Sequence, residues 1–382
     1  MNLRAEPAGC GRPSGVRIVI AGGGTGGHLF PGVALAHEFQ RQRPGTGILF
    51  VGTSRGLETK IIPREGFDLR LIPIGGWVGQ KGWRKIKTVL QLPASLWRSW
   101  KILREVNPDL VIGVGGYASG PVVAMAVVTR RARVLVEPNA VPGLTNRIFG
   151  SWVNRIYLSF EETRDWFKNR ETAGAIRVFG NPVRRDILSA GERPPEKSRP
   201  PEAKATLLVM GGSQGARAIN RAMMEALTGL DAWKTRIRII HQSGEKDAGW
   251  LQEGYTGRGF DAVVTPFLSP VSEAYRAADL ILCRSGATTV AELTVCGRPA
   301  ILIPFPFATH GHQEKNARAL AEAGAAEMIL EKDLTGERLA EAVTNLLTKP
   351  DRLDQMAERS RRLGRPDAAE KIVTDCLELI GA

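Results

Sequence analysis

Nowhere in the 382 residues does an Asp-x-Asp pair occur, nor a GxxxxGK[ST] loop, nor a CxxC. Each absence excludes something. Without paired thiols, the scattered Cys10, Cys283, Cys296 and Cys376 suit neither a disulfide framework nor a structural zinc site, and a reducing cytoplasm is expected. Without the Walker loop, ATP hydrolysis of that kind drops out. Without a carboxylate pair, a divalent cation has no ready anchor, so any diphosphate ligand would have to be held by other means. The first 16 residues, MNLRAEPAGCGRPSGV, lack the apolar core of a signal peptide and read as a frayed leader.

Long apolar runs are also scarce. One stretch, Leu110 to Thr129, carries no charge over 20 residues, nominally enough to span a bilayer. GGYASGP interrupts it in the middle, so a strand, a glycine loop and a helix starting near Pro121 fit better. Buried α/β core is the expected setting.

What is present is a globular composition, 43% hydrophobic and 24% charged, with a formal net charge of +13. The excess implies an anionic partner without choosing among nucleic acid, phosphorylated ligand and acidic lipid. The length suits two domains. Short β-rich runs alternate with helical patterns: 16–21, 47–52, 109–114, 133–137, 155–159 and 176–180. After a Pro-rich, charged segment at 193–205 the pattern restarts at TLLVMGG, RIRIIHQ, AVVTPF, LILCRSG and PAILIPF. Alternation of this kind predicts an α/β fold with two doubly wound parallel sheets and a ligand cleft between their loop edges. We expect an N-terminal domain over 1–183 and a C-terminal domain over 184–365. A final helix within 366–382 packs back on the first.

Four strand-to-helix junctions are glycine-rich: 22–27, 115–120, 211–215 and 285–287. Such loops let a ligand touch backbone and aim a helix N-terminus at negative charge. The plain alternative is tight turns, but four together favour a phosphorylated ligand. The first is formally GxGxxG (Gly22, Gly24, Gly27), which raises a dehydrogenase. That class needs an acid near the end of the second strand. The strand ends FVGTSRG, with Gly52, Thr53 and Ser54 there, and the dinucleotide reading loses. At the fourth junction, Ser285 and Gly286 end a strand and Ala287, Thr288 and Thr289 begin a helix able to hold a diphosphate. Glu292, one turn on, is placed to accept both hydroxyls of a ribose; the alternative is a solvated helix acid. His310 and His312 form a nominal metal pair, but with Glu314 alone beside them no metal and no cofactor are expected. If the chain is a sugar transferase, its leaving diphosphate must be stabilised by helix N-termini and a basic side chain, and Arg184 in GNPVRRD is the candidate.

The ordered motifs GGGTGGHLFPGVALA, GVGGYASGP, EPNAVPGLTNR, GNPVR, GGSQGARAIN, CRSGATTVAEL and HQEKNA resemble those of the MurG family, glycosyltransferase family 28, over roughly residues 16 to 380. The resemblance implies a GT-B fold and an inverting hexosyltransferase acting in cell-wall biogenesis. It moves GlcNAc from UDP-GlcNAc to the 4-hydroxyl of a polyprenyl-diphosphate-linked muramoyl-pentapeptide, giving a β(1→4) link. It further implies donor contacts at Thr25, Gly26, Gly27, Asn139, Arg184, Ser213, Leu268, Ala287, Thr288, Thr289, Val290, Ala291, Glu292 and Gln313. Pro138, where Gln is common, and THGHQ, in place of DRQQ or DHQ, depart from the family pattern. Inversion needs a base. His28, at a helix start whose dipole favours a neutral imidazole, is the candidate; the alternative is that it packs or contacts the acceptor diphosphate. A GT-B-fold UDP-GlcNAc epimerase is the nearest enzymatic rival.

Between Asp68 and Glu105 there is not one acid, while cations and four of the eight tryptophans crowd in. Trp77, Trp83, Trp97 and Trp100 with Lys85, Lys87 and Lys101 suit the headgroup boundary of an anionic bilayer. In a helix, Val89, Leu92, Leu96, Trp100 and Leu103 share a face, with Pro93 dividing the element. A peripheral enzyme on the cytoplasmic face of the membrane is expected. A non-enzymatic membrane-binding protein and a core-facing helix are the alternatives. No RNA-binding motif accompanies the basic patch, so nucleic acid is not expected.

Overall fold

The computed structural model describes residues 15–54, 56–75, 83–167, 175–192, 204–212, 215–308 and 311–382. The leader, Trp77, Ser213, His310 and most of the Pro-rich segment lie outside them.

The first half begins β1 (Arg17–Ala21), α1 (Gly26–Gln42), β2 (Gly47–Gly52), α2 (Glu58–Arg64), β3 (Asp68–Leu71) and α3 (Trp83–Val106). It continues through β4 (Leu110–Gly113), α4 (Ser119–Val128), β5 (Ala132–Glu137), α5 (Leu144–Phe149), β6 (Arg155–Leu158), β7 (Ile176–Val178) and α6 (Arg185–Glu192). The second half starts β8 (Ala205–Met210), α7 (Arg217–Ala226), β9 (Ile237–Gln242), α8 (Ala248–Gly257), β10 (Asp261–Thr265) and α9 (Val271–Ala277). Then come β11 (Leu280–Cys283), α10 (Ala287–Cys296), β12 (Ala300–Leu302), α11 (His312–Glu322) and β13 (Ala326–Met328). Three helices close the chain: α12 (Gly336–Leu347), α13 (Pro350–Leu363) and α14 (Ala368–Ile380).

Two parallel sheets result, ordered β3-β2-β1-β4-β5-β6-β7 and β10-β9-β8-β11-β12-β13. In each the order of strand addition reverses at one point, β1/β4 in the first and β8/β11 in the second. A crevice opens beyond the strand carboxyl ends at such points. The edge strands β3 and β13 escape the sequence pattern, because DLRL and AEM are short and half-exposed. Period two sorts the core. Ile18 and Ile20 of β1 face a cluster with Val33 and Phe39 of α1, while Val19 and Ala21 face one with Ile102, Leu103 and Val122. Both faces are covered, which is why the central strands read as unbroken apolar runs.

The last helix crosses back. Ala369, Ile372, Val373, Cys376 and Leu377 of α14 join the α1 side of the first sheet. The Tyr157 hydroxyl on β6 donates to Asp375 at 2.6 Å.

α3 differs from expectation in two ways. It runs unbroken through Pro93: proline removes one donor, and the exposed helix continues past it. Its apolar residues also do not share one environment. Ile102 and Leu103 enter the core with Ser95 and Ser99, whereas Leu90, Leu92, Trp97 and Trp100 stay exposed. The core takes the last turn and the serine face, leaving the tryptophans outside. Among the described residues no helix is long and apolar enough to cross a membrane. Cys283, Cys296 and Cys376 are buried free thiols.

Candidate active site

The two switch points face each other across a cavity of about 650 Å³. β1 ends at Ala21, and residues 22–25 turn the chain so that α1 starts with Gly26, Gly27 and His28. The amides of His28 and Leu29 both donate to the Thr25 carbonyl, at 3.3 and 3.2 Å. Thr25 Oγ1 lies 3.4 Å from His28 Nδ1. The ring lies against the neighbouring β4 loop. A Cβ on Gly115 (φ +96°) would fall 2.7 Å from His28 Cδ2, so only glycine admits the imidazole here. Burial, with the nearby His312 adding to it, pushes the His28 pKa down to about 4. The imidazole is neutral near pH 7.

Across the cavity, Ser285 and Gly286 lead into α10, whose first residues carry free amides. Thr288 Oγ1 donates to the Gly27 carbonyl at 3.3 Å, tying the second domain's helix start to the residue before His28. Glu292 is not a solvated helix acid. It is 7% exposed; Tyr275 donates to its Oε2 at 3.1 Å and Arg184 Nη2 lies 3.4 Å from its Oε1. Burial raises its pKa against the pull of Arg184. The Arg184 guanidinium also stacks 4.3 Å from the Phe30 ring centroid, so it is gripped by both domains.

Thr25, Gly26, Gly27, His28, Asn139, Arg184, Leu268, Ala287, Thr288, Thr289, Glu292 and Gln313 all line this one cavity. Two expected contacts do not. Val290 is buried in the second core and Ala291 packs against it, since a helix whose first turn meets the cleft turns its next residues inward. Gln313 is held from within: its Oε1 accepts from the Phe305 amide at 3.0 Å. Asn139 donates to Glu137 through both its amide and its side chain. Sequence reasoning passed over Phe30, Arg64, Glu65, Gln242, Tyr275, Arg284, Phe305 and Phe307, which also line the cavity. PFPF before THGH was the one legible hint among them. No group of three or more His, Cys, Asp or Glu among the described residues is placed to hold a metal ion. On α3, Lys101 lies over Trp97 and Arg104 over Trp100, at 5.7 and 5.3 Å. The side chains of Trp83, Lys85 and Lys87 lie outside the described set.

Two doubly wound domains meeting at their switch points, with helix N-termini and a neutral imidazole facing the cleft between them, form the GT-B fold. The glycosyltransferase family 28 N-terminal domain matches residues 18–158, and the family's C-terminal domain matches 206–372. The chain belongs to glycosyltransferase family 28. A curated relative from Syntrophus aciditrophicus is 47% identical over 96% of this chain and 99% of its own length, and one from Myxococcus xanthus is 44% identical over 96% and 93%. Each is named as a UDP-N-acetylglucosamine--N-acetylmuramyl-(pentapeptide) pyrophosphoryl-undecaprenol N-acetylglucosamine transferase. The crystal structure of Acinetobacter baumannii MurG matches with a TM-score of 0.71 and 26% identity over 94% of this chain and 98% of that one. A UDP-N-acetylglucosamine 2-epimerase structure shares the fold, with a TM-score of 0.70 at 16% identity over 96% of each chain.

Proposed function

We propose that the chain transfers GlcNAc from UDP-GlcNAc to the 4-hydroxyl of a muramoyl-pentapeptide carried on a polyprenyl diphosphate. The acceptor hydroxyl attacks C1 as the C1–phosphate oxygen bond breaks. Its proton passes to His28, the electron pair leaves with UDP, and the anomeric centre inverts. In the tautomer with the proton on Nδ1, beside Thr25 Oγ1, Nε2 holds the free lone pair. Charge growing on the departing diphosphate meets the α10 amides, the hydroxyls of Thr288 and Thr289, and Arg184. Glu292 takes the ribose hydroxyls. Asn139, Ser213, Leu268 and Gln313 complete the donor site.

The observation that carries this reading is the Thr288–Gly27 contact, which sets the diphosphate anchor of one domain beside the base of the other. The acceptor is brought by the membrane. Leu90, Leu92, Trp97 and Trp100, together with Leu144, Ile148 and Trp152 near α5, leave large apolar groups exposed. Arginines and lysines flank them, as an anionic bilayer surface on the cytoplasmic side would require. The division into 1–183 and 184–365, with 366–382 returning to the first, separates acceptor from donor binding.

One incubation tests the reading: purified enzyme, UDP-GlcNAc and a chelator, with and without a short-chain lipid acceptor. Acceptor-dependent UDP release that survives chelation is expected. Conversion of UDP-GlcNAc without acceptor would mark epimerisation and overturn it.

A further inference from the structure

Glu58 opens α2 and is 1% exposed, yet no step of the transfer uses it. Its carboxylate reaches back beneath the first glycine loop. Oε2 accepts from the Gly24 amide at 2.9 Å; Oε1 accepts from the Thr53 amide at 2.8 Å and the Thr53 hydroxyl at 2.9 Å. The backbone is moulded around it. A Cβ on Gly23 would sit 2.6 Å from Glu58 Cδ, one on Gly52 2.6 Å from Cγ, and one on Gly56 would overlap Oε2.

Amides converging in a strand–glycine–helix loop ordinarily receive a ligand's anion. Here the acid that opens α2 receives them instead. Gly24 precedes Thr25, whose carbonyl takes the first amides of α1 and whose hydroxyl lies beside the His28 ring. On the loop's other flank, a Cβ on Gly116 would fall 2.5 Å from the Gly23 carbonyl oxygen. A shift of Gly24 therefore moves the mounting of His28.

We infer that Glu58 is a positioning residue: a carboxylate that holds the first loop in the conformation presenting His28. The inference rests on the transfer reading above.

Glu58→Gln in the full chain is the sharp test. Glutamine keeps the size but must turn its NH2 toward one of two N–H groups, and donor meets donor. Turnover is expected to fall about 10- to 100-fold while the KM for UDP-GlcNAc stays within about twofold. Hydrogen exchange is expected to quicken in peptides covering 17–29 and to stay unchanged over 280–296. Glu58→Asp, which keeps the charge, recovers part of the turnover, and Thr53→Val costs less than Glu58→Gln. Wild-type turnover in Glu58→Gln, or an equal loss of donor affinity, overturns the inference. If the glutamine variant does not fold, the Asp and Val variants carry the same comparison. Should the wild type release no UDP in response to acceptor, the transfer reading fails, while the exchange measurement still decides the role of Glu58 in the loop.

Discussion

At the scale of single residues, His28 has a testable electrostatic consequence. A base works best when its pKa lies near the working pH, and about 4 is low for the free enzyme. An acceptor diphosphate bound beside the ring favours the protonated form and raises it. The acid limb of kcat/KM should therefore fall near pH 4 and that of kcat higher; a kcat/KM limb at 6.5 would mean a solvated ring. His28→Ala should lower kcat about 10²- to 10⁴-fold at saturating substrates. The same shift links to stability. The unfolded chain protonates His28 near 6.5 while the folded chain waits until about 4, so the unfolded state binds more protons in between. Stability is full above 6.5 and drains away as pH falls through that window. His241, buried and pushed down to about 3, acts in the same direction. Comparing urea midpoints of the wild type and His28→Asn from pH 7 to 4 isolates the His28 share. The buried acid Glu58 stayed invisible to motif reading because the Gly24 amide it serves is distant in sequence and only folding brings it there.

At the scale of elements, α14 and α3 make separate predictions. Asp375 accepts from Tyr157, and the guanidiniums of Arg155 and Arg177 lie 3.4 and 3.8 Å away. Asp375→Ala removes the carboxylate that accepts from the buried Tyr157 hydroxyl and stands beside both guanidiniums. The cost should be about 1–3 kcal/mol, read as a lower urea midpoint with the slope unchanged. On α3 the aromatic rings stand outside the core, so their loss should spare stability and weaken membrane contact. Trp97→Ala with Trp100→Ala should abolish flotation with cardiolipin or phosphatidylglycerol vesicles at low salt and leave the thermal midpoint within a few degrees. Unchanged flotation would remove α3 from the membrane surface. The helical pattern of this segment was readable, but the division of its apolar side was not. Which of those residues meet core depends on where α4 and the first sheet stand.

At the scale of the whole molecule, the chain crosses between domains at 180–184 and again at 363–367, and the crossings touch. A Cβ on Gly180 (φ +99°) would lie 2.7 Å from that of Arg365. Gly180→Ala should cost about 1–3 kcal/mol, lower the thermal midpoint and slow turnover while UDP binding persists; full turnover would mean that the contact between the crossings does not bear on catalysis. The two-domain α/β plan, eleven of the thirteen strands and the glycine junctions were legible because they rest on local periodicity and on backbone that tolerates no side chain. The pairing of Arg184 with both Glu292 and Phe30, the inward turn of Val290 and the occupation of the first loop by Glu58 were not. These depend on contacts between positions 34 to 154 residues apart, so no local pattern encodes them. By itself the sequence determined the sheets and the anion-facing loops. Only the tertiary structure decided which amides remain free for a ligand and which are already taken by the protein's own carboxylates.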